Sequence, residues 1–455
     1  LDDISENYSL KNKENRLNDK DFTWILPNRV SFQEFILSKD FKKKSHEMKR
    51  KIVKWNSNTE QFDTLYSFNH QSFVANYLSK NSPYRGILLY HGLGSGKSGA
   101  SISISEGIDD RKVICLLPAS LKGNYIEEIK KFGQMSYNKN FFWKFITIPD
   151  KEDDLKKFKE IIINKGFPEE LVKNENYYTV IDDKRGVFLI DPDKKYLNNN
   201  LSDLEKDMLN EQINKLIEYR YKLCSYNAGN HTLKLILLKI LGQNKFNEIL
   251  KLIFTEEESI DWSSKFHVNK LMKYIYKNKL NPFDNKVVIV DEVHDLISKI
   301  YSGSVNAMHI YEMIMKANNL KIILLSGTPM INVPFEITIL FNLLNGYIRS
   351  FIFEIEVNDY SGVKREKLEK VLYNSKLIDR YLIKEQVNKV VVELTRIPTK
   401  FKNKFKDNKV IGVEKNNEII SDKEFIQKIA EELLEQKIGN VKTVNNRLYT
   451  LFTDL

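Results

Sequence analysis

A short apolar run that ends in a glycine-rich loop limits the possible folds of this chain more than any other feature. Ile87–Tyr90 is apolar throughout, and Tyr90–Ser98 reads Tyr-His-Gly-Leu-Gly-Ser-Gly-Lys-Ser. Glycines let a backbone wrap round a phosphate with its N–H groups pointing inward, and a following helix adds a favourable dipole. Lys97 would contact the β- and γ-phosphates of a nucleotide, and the Ser98 hydroxyl would bind Mg²⁺. The residues predicted to hold the phosphates are Gly92, Gly94, Ser95, Gly96, Lys97 and Ser98.

Three other apolar runs have the same length and character as the first. They are Val113–Leu117, Val287–Val290 and Ile322–Leu325. Buried parallel strands have this pattern because helices cover both faces of their sheet. The segments between the runs are long enough for crossover helices, so the sequence predicts an α/β fold built on a parallel sheet. Such a sheet binds its ligands at the carboxyl ends of its strands.

Two adjacent carboxylates follow the third of these runs. The segment Val287–His294 reads Val-Val-Ile-Val-Asp-Glu-Val-His, which places Asp291 and Glu292 at a strand end. Asp291 is predicted to hold Mg²⁺, and Glu292 to orient and deprotonate an attacking water. A solvated turn is the alternative interpretation, and the phosphate loop in the same chain argues against it.

Hydroxyl groups follow the last apolar run in the segment Ile322–Pro329. Ser326 and Thr328 are predicted to relay changes between the nucleotide site and a bound polymer. The alternative is an ordinary turn after a strand.

Composition excludes several classes of protein. The 455 residues are 42% hydrophobic and 29% charged, which excludes wholesale disorder. The net charge of +10 favours a polyanionic partner. Two cysteines, Cys115 and Cys224, are too few for a disulfide framework or a zinc site, so an intracellular, reducing location is expected. No apolar run reaches the ~20 residues that cross a bilayer, and no signal peptide is recognisable, so no membrane partner is expected.

Three segments are predicted along the chain. Residues 1–65 form a polar, helical extension, 66–346 form the α/β domain, and 347–455 form a helical, partly basic region with an amphipathic helix around Phe425–Leu434. The α/β domain is expected to contain a helical insertion at about 150–222. Within it, Ser202 and Glu205 form a capping box that starts a helix. The apolar face predicted for that helix contains Leu204, Met208, Leu209, Ile213, Leu216 and Ile217.

The motifs together resemble a family. The glycine loop, Asp-Glu-Val-His at 291–294 and Ser-Gly-Thr-Pro at 326–329, in this order, resemble the first RecA-like motor lobe of superfamily 2 helicases and translocases. His91 replaces the first glycine of the strict phosphate loop, a departure that helicase-like ATPases tolerate. Leu117–Phe132 and the Thr-Pro-Met-Ile-Asn of 328–332 are similar to segments of Swi/Snf-type translocases.

Within that group, the chain resembles a branch found in large cytoplasmic DNA viruses. Its members include the small subunit of the poxvirus early transcription factor and nucleoside triphosphate phosphohydrolase I. The likeness is carried by Tyr90–Ser98, Ser225–Ala228 and Asn281–His294.

The resemblance implies roles for further residues. Gln71 would read adenine, and His294 would couple the nucleotide site to the motion of the motor. ATP and Mg²⁺ are the implied cofactors. The residues implied to lie along the nucleic-acid track are Pro118, Ser120, Leu121, Ser225, Tyr226 and Asn227.

The family also needs a second RecA-like lobe whose arginines complete the ATP site. Residues 347–455 contain no Gln-x-x-Gly-Arg-x-x-Arg segment. Within them, the basic stretch Arg396–Lys409, with Phe401 and Phe405 interleaved, is the candidate polymer-facing surface, and a solvated run of charges is the alternative interpretation.

The expected function is a nucleic-acid-dependent ATPase in viral transcription, acting on duplex DNA or RNA beside a viral RNA polymerase or a larger transcription-factor subunit. Its expected location is the virion or the host cytoplasm. Two alternatives stay open, a replication or packaging helicase and a virion scaffold protein with little ATP turnover.

Overall fold

The chain separates into two compact units in a computed structural model. Of the described residues, the first unit contains 43–80 and 86–337, and the second contains 22–42, 81–85 and 338–452. These units differ from the predicted segments because residues 22–42 and 81–85 pack with the C-terminal part. The structure describes residues 22–47, 51–56, 61–66, 69–90, 92, 96–191, 201–255, 258–356, 362–386, 389–416 and 418–452.

Strands and helices are numbered along the chain. The strands are β1 (Lys51–Asn56), β2 (Gln61–Tyr66), β3 (Gly86–Tyr90), β4 (Val113–Leu117), β5 (Trp143–Thr147), β6 (Thr179–Ile181), β7 (Lys184–Ile190), β8 (Tyr221–Ser225), β9 (Val287–Val290), β10 (Lys321–Ser326), β11 (Ile348–Glu356), β12 (Ile378–Gln386), β13 (Lys389–Arg396), β14 (Phe401–Lys406), β15 (Lys409–Lys415) and β16 (Asn440–Tyr449). The described helices are α1 (Phe32–Leu37), α2 (Lys39–Glu47), α3 (Asn69–Tyr77), α4 (Lys97–Glu106), α5 (Lys122–Phe132), α6 (Glu152–Asn164), α7 (Glu169–Lys173), α8 (Asp203–Arg220), α9 (Thr232–Leu241), α10 (Gln243–Ile253), α11 (Lys265–Lys277), α12 (Val293–Tyr301), α13 (Val305–Lys316), α14 (Glu336–Asn345), α15 (Gly362–Asn374) and α16 (Asp422–Glu435).

Five parallel strands form the main sheet of the first unit, in the order β3-β10-β9-β4-β8. Every residue of β4, β9 and β10 is buried, so both faces of the sheet are covered. Helices α4 and α12 pack against β10, and α8 and α9 pack against β8. The predicted α/β fold, a RecA-like parallel sheet flanked by helices, is confirmed. Its four predicted strands are β3, β4, β9 and β10.

The segment predicted as a helical insertion contains helices α6, α7 and α8 and also strands. β6 and β7 join β5 in a three-stranded antiparallel sheet, and the segment ends in β8 of the main sheet. The predicted capping box is present, since Ser202 accepts from the Glu205 N–H and the Glu205 carboxylate accepts from the Ser202 N–H. The predicted apolar face needs one correction because Leu204 is exposed.

The second unit contains a four-stranded antiparallel sheet in the order β12-β13-β11-β16. Along the chain, the elements run β11-α15-β12-β13-α16-β16, with the hairpin β14–β15 inserted before α16. This order is that of the split βαβ, ferredoxin-like arrangement. The region after Gly346 therefore includes the expected helices, and α16 covers the predicted amphipathic segment, but six strands accompany them.

One buried core holds these helices on the sheet. Phe351, Phe353 and Ile355 alternate along β11 and face α15 and α16. The alternation of Val390, Val392 and Leu394 in β13 supplies the next row. This period of two residues is the strand signal that a helical interpretation of the region overlooks. The Phe351 ring lies 4.8 Å from that of Phe425 in α16.

The hairpin β14–β15 also pairs with residues 22–42 near the start of the chain. Trp24 pairs with Val413 of β15 through two main-chain hydrogen bonds of 2.8 and 2.7 Å. The Trp24 side chain is fully buried, and its ring contacts those of Phe41 and Tyr84 edge-on. Residues 22–42 thus belong to the folded core of this unit. None of the described helices is long and apolar enough to span a membrane.

Candidate functional site

Three strand ends meet at one edge of the main sheet. Tyr90 at the end of β3 pairs with Ser326 at the end of β10, and Leu324 of β10 pairs with Val290 at the end of β9. Because the strands are parallel and in register, the glycine loop, Ser326 and Asp291 leave the sheet side by side. The three motifs that the sequence places far apart therefore converge.

The glycine loop leads directly into α4. Gly96 has φ +78°, a left-handed conformation that L side chains rarely adopt, and Lys97 and Ser98 form the first turn of the helix. The first N–H groups of a helix have no partner within it, so this end of α4 can receive an anion. Gly92 is described and exposed, whereas the predicted phosphate contacts Gly94 and Ser95 lie outside the described residues.

Gln71 of α3 lies against the start of α4. Its side chain is 1% exposed, and Nε2 is 3.5 Å from the Gly96 carbonyl oxygen. A Cβ atom at Gly99 would lie 3.2 Å from this Nε2 and 3.3 Å from the Phe132 ring. The structure therefore brings Gln71 to the phosphate loop through close contacts that small residues in α4 permit.

Asp291 is a nearly buried carboxylate at this edge, with 8% of the residue exposed. Burial, and next the charge of Glu292, raise the pKa of Asp291 to about 6. The Glu292 N–H donates to Asp291 Oδ1 at 3.0 Å. This hydrogen bond and the charges of Lys97 and His294 lower the pKa of Asp291, but by less than burial and Glu292 raise it. Lys97 is thus near enough for its charge to act on Asp291. A cation bound beside Asp291 would therefore stabilise its ionised carboxylate.

Glu292 adopts a left-handed backbone conformation with φ +47° and ψ +52° at the start of α12. Such a conformation costs a non-glycine residue about 1 kcal/mol or more, so its surroundings must hold it. The Tyr226 hydroxyl lies 2.9 Å from the Asp291 carbonyl oxygen and 3.0 Å from that of Glu292. Tyr226 is 3% exposed, and burial raises the pKa of its hydroxyl. This side chain supports the turn that carries both carboxylates.

A polar chain connects Glu292 with the end of β10. His294 Nδ1 lies 3.4 Å from Glu292 Oε2 and 2.9 Å from Ser326 Oγ. Ser326 Oγ also accepts from the Thr328 N–H at 3.0 Å. His294 Nε2 is 3.5 Å from Asp295 Oδ1. The residues expected to couple the nucleotide site to a polymer are therefore in direct contact with one another.

Comparisons with known proteins find similar sequences in large DNA viruses. No protein-family model matches the chain. It is 24% identical over 286 residues to a protein of Acanthamoeba polyphaga mimivirus that is named as an inferred ATP-dependent RNA helicase, in an alignment covering 62% of the chain and 33% of that protein. A second mimivirus protein with such a name is 24% identical over 277 residues, 60% of the chain and 18% of that protein. A termination factor NPH-I homologue of African swine fever virus is 31% identical over 129 residues, 25% of the chain and 18% of that protein.

The chain is a homologue of proteins of large DNA viruses that are named as helicases or as a termination factor NPH-I homologue. It spans a third or less of the length of these relatives. The first unit is called the helicase-like lobe below.

Two further loops of the helicase-like lobe leave the same edge of the sheet. Pro118 and Ser120 follow β4, which pairs with β8, and Tyr226 and Asn227 follow β8, which ends at Ser225. Ser120 and Asn227 are exposed, and Pro118 and Leu121 are half-buried. All four residues thus have part of their surface open to solvent.

Ser225 and Tyr226, also predicted to lie along the nucleic-acid track, are both buried. Ser225 is 8% exposed, and its Oγ accepts from the Asn227 N–H at 3.2 Å. Tyr226 is buried beneath Asp291 and Glu292, so its side chain is not at the surface. The sequence signal that could have found its position is the tyrosine directly after an apolar strand, where a buried hydroxyl needs a partner.

Proposed function

We propose that the helicase-like lobe binds and hydrolyses ATP in response to nucleic acid. The observation that carries this proposal is the meeting of Lys97, Asp291 and Glu292 at one sheet edge, with the pKa of Asp291 raised to about 6 by burial. A nearly buried carboxylate with a half-buried carboxylate next to it, close to a helix N-terminus, is the kind of perturbed group that clusters at functional sites. The relatives named as helicases and as an NPH-I homologue support the same activity.

Each residue has a distinct role in the proposed reaction. The first turn of α4 and the Lys97 ammonium bind the β- and γ-phosphates and stabilise the charge that develops on them. Glu292 orients the attacking water and accepts its proton. Tyr226 fixes the turn from which the Glu292 carboxylate projects. His294, Ser326 and Thr328 transmit the state of the phosphates to the loops that follow the sheet.

The donor set fits Mg²⁺. Ser98 supplies a hydroxyl and Asp291 a carboxylate, both hard oxygen donors of the kind that this cation prefers. The raised pKa of Asp291 fits a group whose charge a cation would compensate. When bound, Mg²⁺ would neutralise charge on the phosphates.

The polymer is proposed to be duplex DNA, with RNA as the second candidate. The exposed loops at Ser120 and Asn227 would contact its backbone, so little sequence readout is expected. We place this activity in viral transcription, beside an RNA polymerase or a larger transcription-factor subunit, in the virion or the host cytoplasm. The African swine fever virus relative named as a termination factor homologue supports this role.

The test is ATP binding and hydrolysis by the 455-residue chain, alone and with duplex DNA, single-stranded DNA or RNA. Stimulation by one polymer would establish the activity and identify that polymer. The Lys97→Ala variant should bind ATP about 10- to 150-fold more weakly, because a hydrogen bond to a charged group is worth about 1.5–3 kcal/mol.

The control is Lys122→Ala, which removes a lysine from the start of α5 in the same lobe. Equal ATP binding by wild type and Lys97→Ala would disprove the proposed site. ATP binding without turnover on any polymer would favour a scaffold protein that retains the nucleotide fold.

A further inference from the structure

The second unit carries a lysine-rich surface on the hairpin β14–β15. Lys402, Lys404 and Lys406 alternate along β14, and Lys406 pairs with Lys409 of β15. Side chains two residues apart on a strand share a face, so these four lysines line one side of the hairpin. We call this side the lysine face.

The opposite side of the hairpin is anchored to the rest of the unit. Asn403 is 4% exposed, and its Nδ2 donates to the carbonyl oxygens of Ser375 at 2.9 Å and Ile378 at 2.8 Å. Phe401 and Phe405 share this side and are half-buried. The aromatic residues interleaved with the lysines therefore secure the hairpin, and a rigid scaffold presents the lysine face.

Charge is concentrated in this hairpin. Residues 400–415 contain six lysines, against Asp407 and Glu414, for a net charge of +4 in sixteen residues. The whole chain has a net charge of +10. Glu414 lies 3.3 Å from Lys402 and 3.6 Å from Lys404, so one carboxylate is shared between two ammonium groups. The hairpin presents more positive charge than its own carboxylates neutralise.

A cavity with further lysines adjoins the lysine face at Lys402. A cavity of about 490 Å³ is lined by Lys402 together with Lys376 and Lys428. Glu418 and Glu432 line it as well, and burial raises the pKa of Glu432. Three lysines from three separate segments thus approach one concave surface that adjoins the lysine face.

We propose that the lysine face binds the phosphate backbone of nucleic acid. This site is separate from the ATP site proposed in the helicase-like lobe. Closely spaced ammonium groups on a fixed scaffold match the charge of successive phosphates, and their binding requires no base readout. This proposal depends on the proposed function only for the choice of nucleic acid as the ligand. The lysine face has no part in ATP binding.

The test measures binding of labelled duplex DNA, single-stranded DNA and RNA by fluorescence anisotropy between 50 and 200 mM salt. The variant replaces Lys404, Lys406 and Lys409 by alanine. Loss of up to three phosphate contacts should lower the salt slope of log K by about 2 to 3 on duplex DNA and weaken binding about tenfold or more. The matched control replaces Lys151, Lys156 and Lys157 by alanine, three exposed lysines of the other unit with the same change in charge.

A second variant tests the opposite direction. Glu414→Gln removes the carboxylate shared by Lys402 and Lys404, so it should tighten binding and steepen the salt slope. A variant that merely damaged the hairpin would not raise affinity. Unchanged affinity in both variants, or equal loss in the control, would overturn the proposal. A response to polyglutamate but not to any nucleic acid would also overturn it and indicate an acidic protein partner.

The outcomes are separable from those of the ATP experiment. Normal lysine-face binding with no ATP turnover would leave this inference standing and remove the proposed function. ATP turnover that depends on Lys97, with nucleic-acid affinity unaffected by the lysine variants, would do the reverse.

Discussion

The two units use their sheets in opposite ways. In the helicase-like lobe, five parallel strands end at one edge, and the proposed ATP site lies in the turns just beyond Tyr90, Val290 and Ser326. In the second unit, the strands are antiparallel, the apolar core covers one face of the four-stranded sheet, and the lysine face lies along one side of the hairpin. Parallel strands bring distant segments to one place, whereas antiparallel strands alternate their ends.

Burial of charged groups has different consequences in the two units. At the parallel edge, Asp291 is nearly buried and its pKa is raised to about 6, so small shifts in geometry change its proton affinity. On the lysine face, Lys406 and Lys409 are exposed, so their attraction for phosphate is screened by salt. Substitutions should therefore act on turnover and pH dependence in one unit, and on salt-dependent affinity or folding in the other.

The largest effect is expected from Glu292→Gln in the helicase-like lobe. Glutamine retains the size of the side chain but cannot accept a proton from water, so turnover should fall about 10²- to 10⁴-fold. ATP binding should persist because the phosphate contacts of α4 are unchanged. Single-turnover hydrolysis with a separate ATP-binding assay measures both quantities. Hydrolysis at the wild-type rate would remove Glu292 as the base.

Phe351→Ala should have the next largest effect, on the folding of the second unit. Phe351 is fully buried and contacts Phe425, so its truncation should cost about 3–5 kcal/mol of unfolding free energy. Hydrogen exchange should accelerate in β11, β13 and β16 and change little in β9 and β10. Leu382→Ala is the control, since this residue is 51% exposed, and it should cost about 0.5 kcal/mol or less. Equal acceleration in both sheets would show that the units do not unfold separately.

The extent of sequence prediction also differs between the units. In the helicase-like lobe, continuous apolar runs predict buried parallel strands, and the observed β9 begins and ends where Val287–Val290 does. The capping box at Ser202 predicts the start of α8 for an equally local reason. In the second unit, the strand signal is the alternation of Val390, Val392 and Leu394, and the residues between them, Val391 and Glu393, leave a helix as the alternative. Tertiary packing on α15 and α16 decides between the two.

The candidate site could be predicted where a motif fixes the local backbone conformation. Glycines, Lys97 and Asp291 follow from the chemistry of phosphate and metal binding, and the parallel register brings them together. Tyr226 was expected on the polymer track, yet its hydroxyl contacts the carbonyl oxygens of Asp291 and Glu292. That contact joins segments 65 residues apart, so the tyrosine after an apolar strand indicates a buried hydroxyl, but no local pattern identifies its partner.

A smaller effect, with a specific pH dependence, is expected from Asp291→Asn. The folded-state pKa of about 6 lies above the ordinary 3.8, so the folded protein binds more protons between these values and loses stability as pH rises through them. Burying the charge therefore costs about 3 kcal/mol at pH 8 and about 1.5 kcal/mol at pH 5. Asparagine retains an oxygen for the Glu292 N–H and carries no charge.

Asp291→Asn should accordingly stabilise the protein without nucleotide at pH 8, and about half as much at pH 5. Denaturant titrations at the two pH values measure the difference. Added Mg²⁺ and ATP should stabilise the wild type more than the variant, because the variant lacks the carboxylate proposed to hold the cation. A destabilised variant at pH 8 would mean that the carboxylate is already compensated within the protein.

The smallest effect is expected from Tyr226→Phe. The change removes one buried hydroxyl and leaves the carbonyl oxygens of Asp291 and Glu292 without it, which should cost about 1–2 kcal/mol of stability. Because the same turn holds Glu292 in its left-handed conformation, the turnover number should fall several-fold while the KM for ATP changes little.

Tyr84→Phe in the second unit is the matched control for this substitution. Tyr84 is 3% exposed, and its hydroxyl donates to the Ile25 carbonyl oxygen at 2.8 Å, so the two tyrosines lose comparable hydrogen bonds. Both variants should therefore lose similar stability, but only Tyr226→Phe should lower the turnover number. Equal turnover in the two variants would reduce Tyr226 to a structural residue. A rise in the KM for ATP alone would place its effect on nucleotide binding. A selective fall in turnover would show that a buried hydrogen bond at the parallel edge positions the catalytic base.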